Sequence, residues 1–83
     1  MHTYFLKLAC RCPNNNAVDI YEATISTTKL LQAEDLLELQ SEIYDKKMYQ
    51  EDIWKLMEEK IRAKVLLVGD HMGVRITCGE LTK

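Results

Sequence analysis

Cys10 and Cys12 stand one residue apart, and the chain adds to them Cys78, His71 and His2. On an extended strand residues i and i+2 face the same way, so the two sulfurs of Cys10-Arg11-Cys12 can reach one point. With Cys78 and with His71 or His2 they make a donor set of the kind tetrahedral zinc accepts. The spacing is unspecific, because structural zinc sites usually separate paired cysteines by two to four residues. The plainer reading makes Cys10 and Cys78 small apolar core residues and Cys12 a turn residue. Both readings stand at the level of sequence: a metal- or thiol-dependent protein using Cys10, Cys12, Cys78 and His71, or no cofactor at all.

The same residues allow nucleophilic chemistry. His71 precedes the segment that holds Cys78, and an imidazole beside a thiol can generate a thiolate. No oxyanion-stabilising group or third orienting residue is recognisable, so no catalytic residue is assigned and no enzyme is expected. Gly69-Asp70-His71-Met72-Gly73 carries two glycines but lacks the Lys-Ser or Lys-Thr of a phosphate loop, and reads as a turn.

The elements that must position these groups are legible as periodicities. Tyr4, Leu6, Leu8 and Cys10 alternate with Thr3, Phe5, Lys7 and Ala9, a period of two that predicts a strand over 3–12. Pro13-Asn14-Asn15-Asn16 is turn chemistry. Residues 17–28 are dense in β-branched and aromatic side chains and predict a second, antiparallel strand. Leu36, Leu39 and Ile43 then recur at helical spacing, with Glu34 and Asp35 ahead of them and Lys46 and Lys47 behind, which predicts a helix over 33–47 oriented by its dipole. Ile53, Met57 and Ile61 start a second helical stripe near Gln50. It either runs through Val65 and Val68 until Gly69 stops it, or gives way to a buried strand at 65–68, because four apolar residues carry no decisive period. Val74–Cys78 alternates and predicts a strand. The expected architecture is a single α+β domain over 1–83, a two-layer β-β-α-α-β arrangement with two helices on one face of an antiparallel sheet.

Composition limits the function. With 83 residues, 47% hydrophobic and 29% charged, the chain has the make-up of one globular domain with a small core. Its longest apolar run, Val65-Leu66-Leu67-Val68, is far short of the roughly 20 residues a spanning helix needs. Met1–Leu8 has neither the basic start nor the apolar stretch of a secretory signal. Three cysteines, an odd number, point to free thiols and a cytoplasmic setting. The net charge of −2 lacks the basic excess of nucleic-acid binding. Arg62, Lys64 and Arg75 make at most a small basic patch.

Residues 30–60 carry nine acids against four bases. Glu34, Asp35, Glu38, Glu42 and Asp45 lie opposite the Leu36–Ile43 stripe. That is a solvated face or a docking surface for a basic partner. Trp54, Tyr44, Tyr49 and Met48 are aromatic and flexible residues of the kind that anchor interfaces, with Glu38, Glu42 and Glu51 placed to steer association. An edge strand beside Cys12 or Val74 also offers a route to a homodimer.

Tyr21–Thr27, Ala33-Glu34-Asp35-Leu36 and Val74–Cys78 resemble small uncharacterised phage and prophage accessory proteins, which show a hairpin ending in a Thr-rich strand, an acid-started helix and a last Ile-Thr-Ser strand. This chain departs from them at Cys78, where Ser is usual, and in the additional segment 48–68. The resemblance implies a phage-type accessory protein and transfers no site residue. The expectation from sequence is therefore a small non-enzymatic interaction module that binds and occludes an unidentified protein partner, with a structural homodimer as a further alternative.

Overall fold

The structure is a computed structural model that describes residues 1–44 and 46–80. The first two strands, β1 (His2–Arg11) and β2 (Val18–Thr27), form an antiparallel hairpin in register from His2 opposite Thr27 to Arg11 opposite Val18. The connection is closed by the Cys12 N–H donating to the Ala17 carbonyl and the Asn16 N–H donating to the Cys12 carbonyl, both at 2.8 Å. Asn16 takes the left-handed conformation, φ 61°, that asparagine tolerates.

Helices α1 (Ala33–Ile43) and α2 (Gln50–Ile61) follow, then β3 (Lys64–His71) and β4 (Val74–Cys78). The four strands make one antiparallel sheet in the order β1-β2-β3-β4. This is the expected α+β domain with its β-β-α-α-β core and the additional strand. Among the described residues no helix is long and apolar enough to cross a membrane.

Two local expectations are corrected, and the alternative left open at 65–68 is decided. The first helix stops at Ile43, not at residue 47. The backbone of Lys46–Met48 is instead used by the end of β1, because the Arg11 N–H donates to the Lys46 carbonyl and the Met48 N–H to the Arg11 carbonyl. Helix α2 ends at Ile61 on Arg62, whose left-handed φ of 58° turns the chain out. Val65–Val68 is therefore strand, with Val65 and Leu67 buried and paired to Ile25 and Ala23 of β2. Finally, Gly69–His71 belong to β3. The turn is Met72-Gly73 alone, with positive φ at both residues as a tight two-residue hairpin requires.

One face of the sheet carries the core. Leu8 and Cys10 from β1, Tyr21, Ala23 and Ile25 from β2, and Val65 and Leu67 from β3 meet Leu36, Leu39 and Ile43 of α1 and Ile53 and Met57 of α2. Each fully buried Ile, Leu or Met contributes about 1.5–3 kcal/mol over an exposed one. Helix α1 lies on β1, and α2 on β3 and β4. The opposite face is uncovered, leaving Phe5, Val18 and Ile20 exposed.

Candidate functional site

The hairpin turn, the segment that enters α2 and the far end of β3 converge on a cavity of about 180 Å³. Cys12 lines it from the first residue of the turn. Asp19 and Tyr21 reach it from β2, Met48, Tyr49 and Gln50 from the start of α2, and Gly69, Asp70 and His71 from β3. The alternation of β2 explains the acid. Asp19 is in phase with Tyr21, Ala23 and Ile25, the buried set, and pairs with Cys10 of β1. Residues opposite one another in an antiparallel pair share a face, so the carboxylate is turned to the helical side.

Each wall is tied down. The Gln50 side-chain amide donates to the carbonyls of Leu67 at 3.0 Å and Ile76 at 2.9 Å, which fixes the start of α2 against β3 and β4. The Tyr49 hydroxyl donates to Asn14 Oδ1 at 3.0 Å, which fixes it against the turn. Tyr21 is 7% exposed, and its ring lies over Gly69, its partner on β3, so closely that a Cβ at Gly69 would overlap it. Asp19 stands two residues from Tyr21 on the same face of β2.

The thiols differ in environment. Cys10 is 1% exposed, and its Sγ lies 3.7 Å from the Met48 carbonyl. Burial pushes this thiol up, and the nearby Asp19 carboxylate pushes it further. Cys78 is half-buried on β4 and is also raised, by burial and then by Glu51. Cys12 is the thiol that lines the cavity. Burial, followed by the charge of Asp19, likewise raises the Tyr21 phenol. Cys10 and Tyr21 are thus folded as neutral groups. The stability they contribute is whole below their ordinary values of 9.0 and 10.0 and drains as pH climbs through the raised ones. Denaturant midpoints are expected to hold steady through neutral pH and fall above pH 9, with a continued fall above pH 10. A midpoint that is flat across that window would contradict the burial of both groups.

The sequence-derived metal set is not assembled. Cys12 and His71 share the cavity, but Cys10 is packed in the core and Cys78 does not line the cavity. Among the described residues no group of three or more His, Cys, Asp or Glu could hold a metal ion. The proposed anchors are dispersed. Met48 and Tyr49 line the cavity, whereas Tyr44 is 65% exposed and borders a separate groove with Gln40 and Ile20. Trp54 is half-buried, its indole N–H donating to the Val65 carbonyl at 2.9 Å. Glu38 and Glu51 are exposed, Glu42 pairs with Lys60 at 3.5 Å, and Asp45 lies outside the described residues. The small basic patch is also divided. Arg75 pairs with Asp70 at 3.6 Å, six residues along β3 from Lys64, a rise of roughly 20 Å.

No family model matches the chain, and no curated protein matches its sequence. Its fold does have a close counterpart among solved structures. The crystal structure of the archaeosine synthase QueF-like in the apo form superposes with a TM-score of 0.85 over 95% of this chain and 89% of that one, at 16% identity. The chain is similar in fold to an enzyme. At that identity the likeness establishes the fold. It nevertheless overturns the expectation of a non-enzymatic, occluding module of the phage accessory type, since an enzyme is built on nearly this whole architecture. The sequence reading missed Asp19, Tyr21 and Gly69. The available signal was an acid in phase with the apolar residues of β2.

Proposed function

We propose that the chain is a cysteine-dependent enzyme acting on a nucleoside of the archaeosine kind, with Cys12 as nucleophile. The observation that carries this is the meeting of a thiol, a carboxylate and an imidazole on one cavity, at Cys12, Asp19 and His71. The likeness to an archaeosine synthase supports the choice of substrate class. In the step that fits these groups, the Cys12 sulfur forms a bond to an electrophilic carbon of the substrate, and the π bond from that carbon to nitrogen or oxygen opens. Asp19 takes the thiol proton and passes it to that heteroatom. Tyr21 and Met48 supply apolar wall against a flat ring, and His71 stands on the exposed rim. Both thiols are buried, Cys10 at 1% and Cys12 at 6% exposure, but Cys12 lines the cavity whereas Cys10 is packed into the core cluster, which excludes Cys10 as the nucleophile. The three free thiols support a reducing, cytoplasmic setting.

Archaeosine itself is a direct probe. Iodoacetamide alkylation followed by peptide mass spectrometry reads each cysteine separately. Saturating archaeosine is expected to slow alkylation of Cys12 and leave Cys78 unchanged. Equal rates at Cys12 with and without archaeosine would overturn the assignment.

A further inference from the structure

Strand β1 lies at an edge of the sheet, and that edge is closed only in part. In an antiparallel pair the backbone groups of successive residues turn alternately to the partner strand and away from it. The register from His2 to Arg11 is unbroken, and the Arg11 backbone bonds outward to Lys46 and Met48. Lys7 and Ala9 therefore turn their backbone groups outward as well, while Leu8 and Cys10 turn theirs to β2. The Lys7 carbonyl is taken by the Gln40 side-chain amide at 2.6 Å. Between these two closures, the outward N–H and C=O of Ala9 have no partner among the described residues. They open on a groove of about 420 Å³, apart from the cavity of Cys12. Tyr44, at the end of α1, and Ile20, on the open face of the sheet, line this groove, and each is more than half exposed.

The opening is short. From Lys7 to Arg11 the strand rises roughly 13 Å, and both ends are occupied. A whole added strand would have to displace Gln40 at one end and Lys46–Met48 at the other, whereas a single ring displaces neither. In an extended residue the N–H and C=O lie side by side. Their complement is an acceptor and a donor on adjacent atoms of a flat ring, an edge that every nucleobase carries. A tyrosine beside that edge supplies the face on which a base stacks.

We propose that the Ala9 edge, flanked by Tyr44, is a nucleobase-binding notch separate from the cavity of Cys12. The Ala9 N–H donates to the ring acceptor, the Ala9 carbonyl accepts from the ring N–H, and Tyr44 stacks on the ring. The notch does not depend on the reading of Cys12 as a nucleophile.

NMR of isotope-labelled protein tests this, with uridine and its N-methylated analogue, which lacks the ring N–H, as probes. In the free protein the Ala9 amide is expected to exchange with solvent faster than those of Leu8 and Cys10. Uridine is expected to shift the Ala9 resonance saturably, and the analogue to bind more weakly. Tyr44→Ala is expected to weaken uridine binding by about fivefold or more, the worth of one base stacked on an aromatic ring. Ala9→Pro, which an edge strand tolerates where the lost N–H faces outward, is expected to abolish the uridine shift of the Gln40 side-chain amide. If Ala9→Pro fails to fold, Tyr44→Ala and the analogue carry the test. Oligouridylate bound more tightly than uridine assigns the notch to a base within a chain, and equal affinity assigns it to a free nucleoside; either supports it. A slowly exchanging Ala9 amide, as a strand from a second copy laid on this edge would produce, would overturn the proposal. So would uridine shifts confined to Gln50 and Gly69 of the Cys12 cavity, equal affinity for uridine and its analogue, unchanged affinity in Tyr44→Ala, or no saturable shift at Ala9 up to the solubility of uridine.

Discussion

Alanine at Gly69 is expected to cost stability and disorganise the site together. The added methyl falls within the ring of Tyr21, which is itself wedged at 7% exposure between β2 and β3. Either the ring leaves its seat or the two strands part. Overpacking of this kind costs about 1–3 kcal/mol. An opposing term exists, because glycine is a poor strand residue, but strand preferences span only about 1 kcal/mol. Overpacking therefore wins, and Gly69→Ala is expected to lower the denaturation midpoint by an amount corresponding to roughly 1–2 kcal/mol. The same displacement moves the ring out of the cavity wall that it shares with Cys12 and Asp19. A Gly69→Ala protein with the stability of the unaltered chain would show that Tyr21 does not depend on this glycine.

The second large effect separates two neighbouring thiols. Cys12→Ala is expected to reduce turnover of an archaeosine-type nucleoside by about a thousandfold or more, because the nucleophile has no substitute within reach. It is expected to cost less stability than Cys10→Ala, since Cys12, though only 6% exposed, lies in the turn outside the main packed cluster. Cys10→Ala is expected to do the reverse. Its side chain is 1% exposed among core residues, so truncation costs stability on the order of 1 kcal/mol while activity persists. Activity assays beside denaturation curves check both. Activity that survives Cys12→Ala, or that vanishes with Cys10→Ala in a folded protein, would remove Cys12 from its role.

These expectations depend on groups that differ in how far the sequence reveals them. Cys10 and Cys12 are adjacent in the chain and alike in type, and only their surroundings tell them apart. The alternation of β1 marks Cys10 as inward, and Pro13 marks Cys12 as a turn residue, so the plainer sequence reading of this pair already agrees with the fold. His71 was read against Cys78 because the two are near in sequence. Yet in the β3–β4 hairpin His71 pairs with Val74 and Cys78 with Leu67, which places the two at different levels of the sheet. The anchors fared similarly. Trp54 stands out by residue type, but its indole N–H is engaged by Val65, a partner eleven residues on.

By itself the sequence determined the elements: the hairpin from its period of two, both helices from their three-and-four spacing, the last strand from its alternation, and hence an α+β domain. These patterns are local, because they follow from backbone geometry that repeats every few residues. The tertiary structure alone decided the end of α1, the strand at Lys64–His71 and the cavity itself. Each depends on partners distant in the chain: Arg11 on Lys46 and Met48, Val65 on Ile25, Tyr21 on Gly69. A thiol, a carboxylate and an imidazole at positions 12, 19 and 71 become one site only when the hairpin, the start of α2 and β3 are closed upon each other. Closure depends on burial of apolar surface across the whole domain, which no short window of residues contains.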